Sequence, residues 1–275
     1  MLSGVGIGLR SVHYRPLLAC TSPPVAWLEV LIDNYLGEGG QPLAFLDAFA
    51  ERYPLSFHGV GLSLGSADPL DMQYLTRLRE RIRRYSPMLV SEHLSWGRLG
   101  GRNSHELLPL PFTPTVARYL ADRIQAVQAF LGCRLLIENL SSYLTYADDV
   151  MAEWEFLCEV VQQADCDVLC DLNNIYVSAC NHDFDPQRYL EALPRGRVKE
   201  IHLAGFSDEG SHLLDTHSAP VSEPVWMLYR SALKRFEAVP TLIEWDNDIP
   251  ALPVLLAEVD KARRVWEDEL HVRQS

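Results

Sequence analysis

The chain has 275 residues and a formal net charge of −13, because 37 Asp and Glu outnumber 24 Lys and Arg. A negative field of this size disfavours nucleic acid and anionic membranes as partners. No apolar run approaches the roughly 20 residues that span a bilayer, and the first residues lack the regions of a signal peptide. The six cysteines contain no CxxC pair. We therefore predict a cytoplasmic protein with reduced cysteines that binds no nucleic acid and no membrane.

Short β-rich runs alternate with longer amphipathic stretches along the chain. The predicted strands are 5–9, 27–32, 55–60, 88–93, 135–139, 167–172, 198–203 and 241–245. The predicted helices are 43–53, 69–85, 113–131, 150–165, 186–193, 221–236 and 250–269. Pro69, Pro114 and Pro186 each follow an Asp or Thr, a pair that is typical of the start of a helix.

Eight strands, each followed by a helix apart from an irregular first connection, predict parallel pairing. The strands are almost continuously apolar, which fits a sheet that is covered on both sides. We therefore predict an α/β fold in which the sheet closes into a (β/α)8 TIM barrel. It forms a single domain over 1–275, with active-site loops at the C-terminal face of the strands. A doubly wound open sheet is the alternative.

Ionisable residues fall at the ends of six predicted strands. They are His58, His93, Glu138, Asp171, His202 and Glu244. Each has an ordinary explanation alone, as a structural histidine or a helix cap. Together they occupy the face where barrel enzymes build their active sites. The long connection after strand seven adds Asp215 and His217 to the same face, in "LLDTHSAP".

A metal cluster would supply the positive charge that these buried carboxylates need. Glu138 and Glu244 stand in otherwise apolar strands, where a carboxylate is costly unless it is paired, protonated or bound to a cation. Few Lys or Arg accompany them, and strand alternation points Lys199 away from the side of His202. The donors are imidazole and carboxylate without thiolate, which suits iron, manganese or zinc. With Asn174 as a further candidate, the nine donors predict two or three metal ions.

Two long connections at this face, 94–111 and 173–186, are predicted to be loops. Long loops in a compact domain often cover or bind a substrate, although surface decoration looks the same. Gly97, Gly100 and Gly101 give the first loop conformational freedom. The candidate substrate-binding residues in the two loops are Trp96, His105, Asn173 and His182.

A series of motifs in order resembles one known family. The motifs are "HGVGLSLGSADPLD", "SEHLSWG", "HELLPLP", "ENLSSYLTY", "EWEFL", "DLNNIYVSACNH", "EIHLAG", "DTHSAPV" and "LIEWDNDIP". Together they are similar to the multinuclear non-haem iron-dependent oxidative enzymes, which include methanobactin- and bufferin-type biosynthetic enzymes. The likeness runs from about Gly4 to Ala262.

The resemblance implies a xylose-isomerase-like barrel that holds two or three iron ions. The negative charge of the carboxylates favours a higher-valent ion among them, so we predict a mixed Fe(II)/Fe(III) resting state. The resemblance also implies an oxidoreductase that uses O2 to modify cysteine residues in a ribosomally made precursor peptide, for a natural product or a copper-binding peptide. A separate protein that binds the leader of the peptide is the implied partner. Carried onto matching positions, the iron ligands are His58, His93, Glu138, Asp171, Asn174, His202, Asp215, His217 and Glu244.

Two positions depart from the family pattern. The family commonly has His after "LAG", where this chain has Phe206, and Asp after "DTH", where it has Ser218. If either position supplies a ligand or a proton relay, metal occupancy or substrate differs here.

Three other functions compete with this hypothesis. An endonuclease IV-like phosphodiesterase would use zinc to activate water, and the acidic composition counts against it. A sugar isomerase or epimerase on the same barrel would need one or two divalent ions. A barrel without catalysis would only bind a peptide or a partner. Metal analysis separates iron from zinc.

Overall fold

The structure is a computed structural model that describes residues 2–274, with side chains described as far as Glu269. Its strands are β1 Val5–Gly8, β2 Leu28–Leu31, β3 Leu55–Gly59, β4 Leu89–His93, β5 Trp96–Leu99, β6 Arg102–Leu108, β7 Leu136–Glu138, β8 Asp167–Asp171, β9 Val198–Leu203, β10 Ser207–Asp208, β11 Leu213–Leu214 and β12 Thr241–Ile243. Eight of them form a closed parallel barrel in the order β1-β12-β9-β8-β7-β4-β3-β2. The predicted TIM barrel is confirmed, and the open sheet is wrong.

Helices surround the barrel. They are α1 Tyr14–Ala19, α2 Gln41–Ala50, α3 Met72–Tyr85, α4 Pro114–Leu131, α5 Glu153–Ala164, α6 Leu172–His182, α7 Pro186–Ala192, α8 Glu223–Phe236 and α9 Leu252–Gln274, with 3-10 turns at Ser11–His13 and Ile32–Tyr35. Pro114 and Pro186 begin their helices, as predicted. Pro69 precedes its helix, because α3 begins only after Asp71, whose side chain accepts hydrogen bonds from the backbone N–H groups of Gln73 and Tyr74.

The barrel closes where β1 pairs with β12, with Ile7 in register with Ile243. Both faces of the strands are buried, since one face packs under the helices and the other fills the barrel interior. Such double burial explains the nearly continuous apolar strands. In residues 2–274 no helix is both long and apolar enough to cross a membrane.

Both predicted loops contain regular structure. In 94–111, β5 and β6 form an antiparallel hairpin, which turns at Gly100 and Gly101, both with positive φ. Positive φ at both central residues is what a tight hairpin turn requires, so the glycines mark a turn. In 173–186, α6 begins directly after β8, because the side chain of Asp171 caps its first turn. Both loop predictions were wrong in this respect.

Candidate metal centre

Polar side chains fill the C-terminal half of the barrel interior. They come from several strands and are almost completely buried: Glu29, Ser56, His58, Ser91, His93, Glu138, Asp171, Glu200, His202 and Glu244. Parallel strands bring their carboxyl ends to one edge of the barrel, so residues far apart in sequence meet there. The six strand-end residues singled out from the sequence all belong to this cluster.

The first group of donors consists of His58, His93 and Glu138. Nε2 of His58 lies 3.3 Å from Oε2 of Glu138, and Nε2 of His93 lies 3.2 Å from the same oxygen. Two donors bound to one ion at about 2.0–2.2 Å lie roughly 3 Å apart. The three atoms therefore have the spacing of ligands to one metal ion, and these residues form a group that can hold one.

A second group shares Glu138 with the first and adds Asp171, His202 and Glu244. Nδ1 of His202 lies 2.9 Å from Oε2 of Glu244 and 3.7 Å from Oε1 of Glu138. One oxygen of Glu138 thus faces each group. A carboxylate in this position can bridge two cations.

A third group lies at the rim. Nε2 of His217 lies 2.7 Å from Oδ1 of Asp215, and its Nδ1 lies 3.0 Å from Oδ2 of Asp246 and 3.5 Å from Oε2 of Glu244. His217, Glu244 and Asp246 form a further group that can hold a cation. Asn173 donates a hydrogen bond to Oδ1 of Asp215 at 2.6 Å and so fixes that carboxylate.

The four candidate histidine ligands are each anchored through one ring nitrogen. Nδ1 of His58 contacts Oγ of Ser91 at 2.8 Å, and Nδ1 of His93 contacts the carbonyl of Gly59 at 3.2 Å. Nε2 of His202 contacts Oε2 of Glu29 at 3.0 Å, and Nδ1 of His217 contacts Asp246. Metal-binding histidines are typically held in this way. The other ring nitrogen of each histidine faces a candidate carboxylate ligand: Glu138 for His58 and His93, Glu244 for His202, and Asp215 for His217.

Three of the candidate ligands each have a buried oxygen without a hydrogen-bond partner in the described part of the chain. These oxygens are Oε2 of Glu138, Oδ2 of Asp171 and Oδ1 of Asn174. The other atoms of Asp171 and Asn174 are bonded: Oδ1 of Asp171 accepts from the backbone N–H of Asn174 at 2.7 Å, and the amide nitrogen of Asn174 donates to the carbonyl of Asn139. Unpaired buried oxygens are rare and costly. The donor set therefore fits bound cations.

The pKa shifts show how strongly the cluster attracts positive charge. Burial raises the pKa of Asp171 to about 7 and that of Glu138 to about 8, although nearby histidines oppose the rise. Burial lowers the pKa of His93, but the charges of Glu138 and Glu92 outweigh it and raise the value to about 9. Protons are held at the atoms that cations would bind. Metal ions and protons therefore compete for this cluster.

A cavity of about 200 Å³ opens onto the cluster. Its apolar wall is formed by Leu31, Val60, Leu107 and Leu140, and its polar wall by residues of the first and third groups together with Asn174. Arg10 is a cation in this wall. Its guanidinium is bonded to Asp246 and lies 3.9 Å from Oε1 of Glu244.

The comparison with known families matches nearly the whole chain. The family described as RiPP precursor modification enzyme MbnB/TglH/ChrH matches residues 4–267. The chain belongs to this family. Its members modify the precursors of ribosomally synthesised and post-translationally modified peptides, so this chain is an enzyme that acts on a precursor peptide.

Relatives from two bacteria are similar over almost their whole length. A UPF0276 protein of Acaryochloris marina is 53% identical over 261 residues, which cover 95% of this chain and 94% of that protein. A UPF0276 protein of Caulobacter vibrioides is 49% identical over 263 residues, covering 96% and 94%. The family assignment therefore extends over the whole barrel.

Solved structures show the same fold at low identity. Endonuclease IV from Thermus thermophilus has a TM-score of 0.58 at 17% identity, covering 97% of this chain and 99% of that one. A xylose isomerase domain protein from Alicyclobacillus acidocaldarius has a TM-score of 0.59 at 16% identity, covering 99% and 100%. These likenesses establish the xylose-isomerase-like barrel and nothing about the reaction.

Several polar residues around the centre of this family member were not singled out from the sequence. Glu29 and Glu200 lie below His202, Asp246 holds His217, and Arg10 lies at the cavity wall. Strand alternation offered a signal for two of them, because Glu29 and Glu200 interrupt apolar strands as Glu138 does. Nothing local identifies Arg10, which reaches Asp246 across 236 residues of sequence.

The four candidate substrate-binding residues are not among those lining the cavity of the centre. The indole of Trp96 donates to the carbonyl of Pro109 within the hairpin segment, and His182 contacts Ser142. His105 lines a neighbouring cavity of about 410 Å³, which shares Val60 and Leu107 with the first. Asn173 holds Asp215, as described above. Their contacts with substrate stay predictions.

The two departures from the family pattern lie off the cavity wall. The ring of Phe206 packs against Tyr176 with centroids 5.4 Å apart. Oγ of Ser218 hydrogen-bonds with Oγ1 of Thr216 at 2.8 Å. Neither side chain therefore displaces one of the nine candidate donors.

Proposed function

We propose that this enzyme is a multinuclear iron- and O2-dependent oxidoreductase that modifies cysteine residues in a precursor peptide. The observation that carries the proposal is the convergence of three of the four possible donor groups on shared carboxylates, with Oε2 of Glu138 and Oδ2 of Asp171 buried and without a hydrogen-bond partner in the described part of the chain. Bound cations would satisfy these two oxygens. The fourth possible group, Glu29, Glu200 and His202, shares His202 with the second.

The proposed ligands divide between two or three ions. His58 and His93 would hold the first ion together with Glu138, which would also contribute to the second. Asp171, His202 and Glu244 would complete the second set of ligands. Asp215, His217 and Asn174 would serve a third ion or further positions of the other two, and Asp246 would hold the ring of His217 through Nδ1.

Iron is the proposed metal because the imidazole and carboxylate donors suit it, as they do manganese or zinc, and because the family resemblance implies iron. Such ligands suit iron, and several anionic carboxylates favour an Fe(III) ion beside an Fe(II) ion. Bound iron would supply electron transfer to O2 and an open position for a cysteine thiolate. The cavity of about 200 Å³ has room for a cysteine side chain and for little bulk water. Its apolar wall of Leu31, Val60, Leu107 and Leu140 would pack against the peptide around that cysteine.

The remaining proposals concern the partner protein and the location in the cell. A leader-binding protein is proposed to deliver the precursor peptide, in the cytoplasm. The net charge of −13 repels a polyanionic nucleic acid. Arg10 in the cavity wall is already paired with Asp246, so it offers little to a phosphate.

The decisive experiment combines metal analysis with co-expression. Protein purified without O2 is analysed for metals and by Mössbauer spectroscopy, and it is co-expressed with a cysteine-containing precursor that is then examined by mass spectrometry. We expect iron, and an O2-dependent mass change confined to cysteine. Zinc in place of iron, or an unmodified peptide with every candidate precursor, would overturn the proposal.

A matched pair of histidine variants links the reaction to the centre. His93→Ala removes a proposed ligand and abolishes the mass change. His13→Ala removes a buried histidine that contacts the carbonyl of Pro250, outside the centre. This variant should keep the mass change of the peptide.

A further inference from the structure

We propose that Glu29 is a positioning residue for the metal centre: it fixes the ring of His202 so that Nδ1, and not Nε2, is presented to the second metal ion. The inference rests on the metal centre proposed above. It concerns a residue that lies outside the nine candidate ligands and belongs to a different strand.

The ring of His202 lies between two sets of carboxylates. On the side of the centre, Nδ1 is 2.9 Å from Oε2 of Glu244. On the opposite side, Nε2 is 3.0 Å from Oε2 of Glu29. All three side chains are almost completely inaccessible to solvent, at 0% for His202, 6% for Glu244 and 1% for Glu29. Glu244 borders the cavity, whereas Glu29 is not among its lining residues, so the contact with Glu29 is the one shielded from water.

The chemistry of the two atoms decides the tautomer. Both ring nitrogens lie beside a carboxylate oxygen, but in the metal-loaded protein Glu244 would bind the second ion, and Glu29 would remain to accept a hydrogen bond from the ring. An ionised carboxylate only accepts hydrogen bonds, so Nε2 then carries the hydrogen that Glu29 accepts. Nδ1 then has a free lone pair, which is the atom a metal ion needs. Without an acceptor at Glu29 the ring could carry its hydrogen on Nδ1, and an N–H group would face the ligands of the second ion.

Glu29 is the better placed of the two carboxylates beside Nε2. Oε1 of Glu200 lies 3.9 Å from Nε2, too far for a hydrogen bond, and its Oε2 accepts from Oγ of Ser56 at 3.1 Å. On the neighbouring strands, Glu29 is in register with Gly8 and Ser56.

A purely structural role makes a different prediction. Replacing buried polar groups with apolar side chains of similar volume is often neutral or stabilising, provided that no charge is left unpaired. If Glu29 only filled space, a leucine would serve equally well. If it fixes the tautomer, glutamine should substitute, because its amide oxygen accepts the same hydrogen bond.

The test measures metal binding rather than turnover. Wild type, Glu29→Gln and Glu29→Leu are titrated without O2, with Fe(II) and in parallel with Zn(II), against a competing chelator, and bound metal is counted by elemental analysis. Loss of an anchoring partner typically weakens metal affinity about 10–100-fold. We expect that loss for one ion in Glu29→Leu, and affinity within about threefold of wild type in Glu29→Gln.

Glu153→Leu is the matched control. Glu153 is a half-buried carboxylate on α5, and it accepts a hydrogen bond from the hydroxyl of Tyr189 at 2.9 Å, outside the metal groups. The Glu153→Leu variant should leave the metal count unchanged. Equal affinity in Glu29→Leu and wild type would overturn the inference, and so would a loss in Glu29→Gln as large as that in Glu29→Leu.

One measurement needs no substitution. In Zn(II)-loaded wild type, nitrogen-15 NMR should find the hydrogen of His202 on Nε2, and a hydrogen on Nδ1 would overturn the inference even if Glu29→Leu failed to fold. Wild type that binds no metal would instead refute the proposed centre. Normal metal binding in Glu29→Leu, which has no hydrogen-bond acceptor at position 29, would refute only the role of Glu29.

Discussion

At the scale of single residues, Glu138 is the most consequential side chain of the centre. It ends a three-residue strand, and its two oxygens face different groups of donors. Burial raises its pKa to about 8, so it holds a proton readily when no cation is present. A side chain that serves two cations at once should be harder to replace than a ligand that serves one.

Glu138→Gln should therefore lower the metal count by more than one ion, because the amide nitrogen of glutamine cannot act as a second anionic donor. His93→Ala, which touches only the first group, should lower it by one. Elemental analysis of the two proteins after dialysis measures the difference. Equal losses in both variants would argue against a bridging role.

At the scale of elements, the junction of β8 and α6 combines structure and function in one residue. Oδ1 of Asp171 caps α6, while Oδ2 is unpaired and faces the centre. The strand thus passes into the helix without a loop. This packing places Asn174 within the first turn, next to the centre.

The two roles of Asp171 can be separated by substitution. Asparagine caps a helix about as well as aspartate, whereas alanine does not. Asp171→Asn should keep the thermal stability of the metal-free protein but lose metal. Asp171→Ala should lose metal and also about 1 kcal/mol of stability. Denaturation and metal analysis on the same samples check both statements, and an Asn variant with full metal occupancy contradicts them.

The hairpin of β5 and β6 contributes Leu107 to the cavity wall. A Cβ atom at Gly97 would lie 2.4 Å from the carbonyl oxygen of Glu106 on the opposite strand. Gly97→Ala should therefore distort the hairpin and raise KM for the peptide several-fold, while the metal count stays the same.

Gly196→Ala is the matched control, because nothing lies within 4 Å of the added methyl group. It should leave KM unchanged. Loss of metal from Gly97→Ala would show that the hairpin supports the barrel rather than the substrate.

At the scale of the whole molecule, the centre concentrates buried charge that something must neutralise. Without metal, protons do so: the pKa values of Glu29, Asp171 and His93 are raised, to about 7, 7 and 9. A raised pKa means that the folded state binds the proton more tightly than the unfolded state. The stability gained is complete at low pH and is lost as pH rises through these values.

The metal-free protein should therefore become less stable between about pH 5 and pH 9. One extra proton bound by the folded state over two pH units corresponds to about 3 kcal/mol, or a fall in Tm of roughly 6–10 °C. Burial lowers the pKa of His58, so this one group acts in the opposite direction and destabilises the folded state as pH falls below about 6.5. The lowered pKa of Asp215 beside His217 acts only at the acid end, where its contribution is lost as pH falls below about 4.

Metal ions should weaken or reverse this trend, since they replace the protons. Thermal unfolding at pH 5.5, 7 and 9, with and without Zn(II), measures how the stability depends on pH. A Tm of the metal-free protein that is constant or rises over this range would contradict the expectation.

The barrel and much of its centre follow from sequence patterns. Alternating strands and helices predicted the eight-stranded barrel, and carboxylates inside apolar strands, such as Glu138, marked its interior. The segment 173–186 was misjudged because its polar residues resemble a loop, whereas Asp171 caps a helix. The hairpin was missed because its glycines signal flexibility as well as a turn.

The sequence alone determined which strands carry donors and at which end of the barrel they lie, because side-chain periodicity and strand direction are local properties. Tertiary structure alone decided which candidate donors lie close enough to share an ion and which partners hold them. The contacts of Arg10 with Asp246, and of Glu29 with His202, join residues more than 170 positions apart. Barrel closure fixes such distances, and no local pattern encodes them.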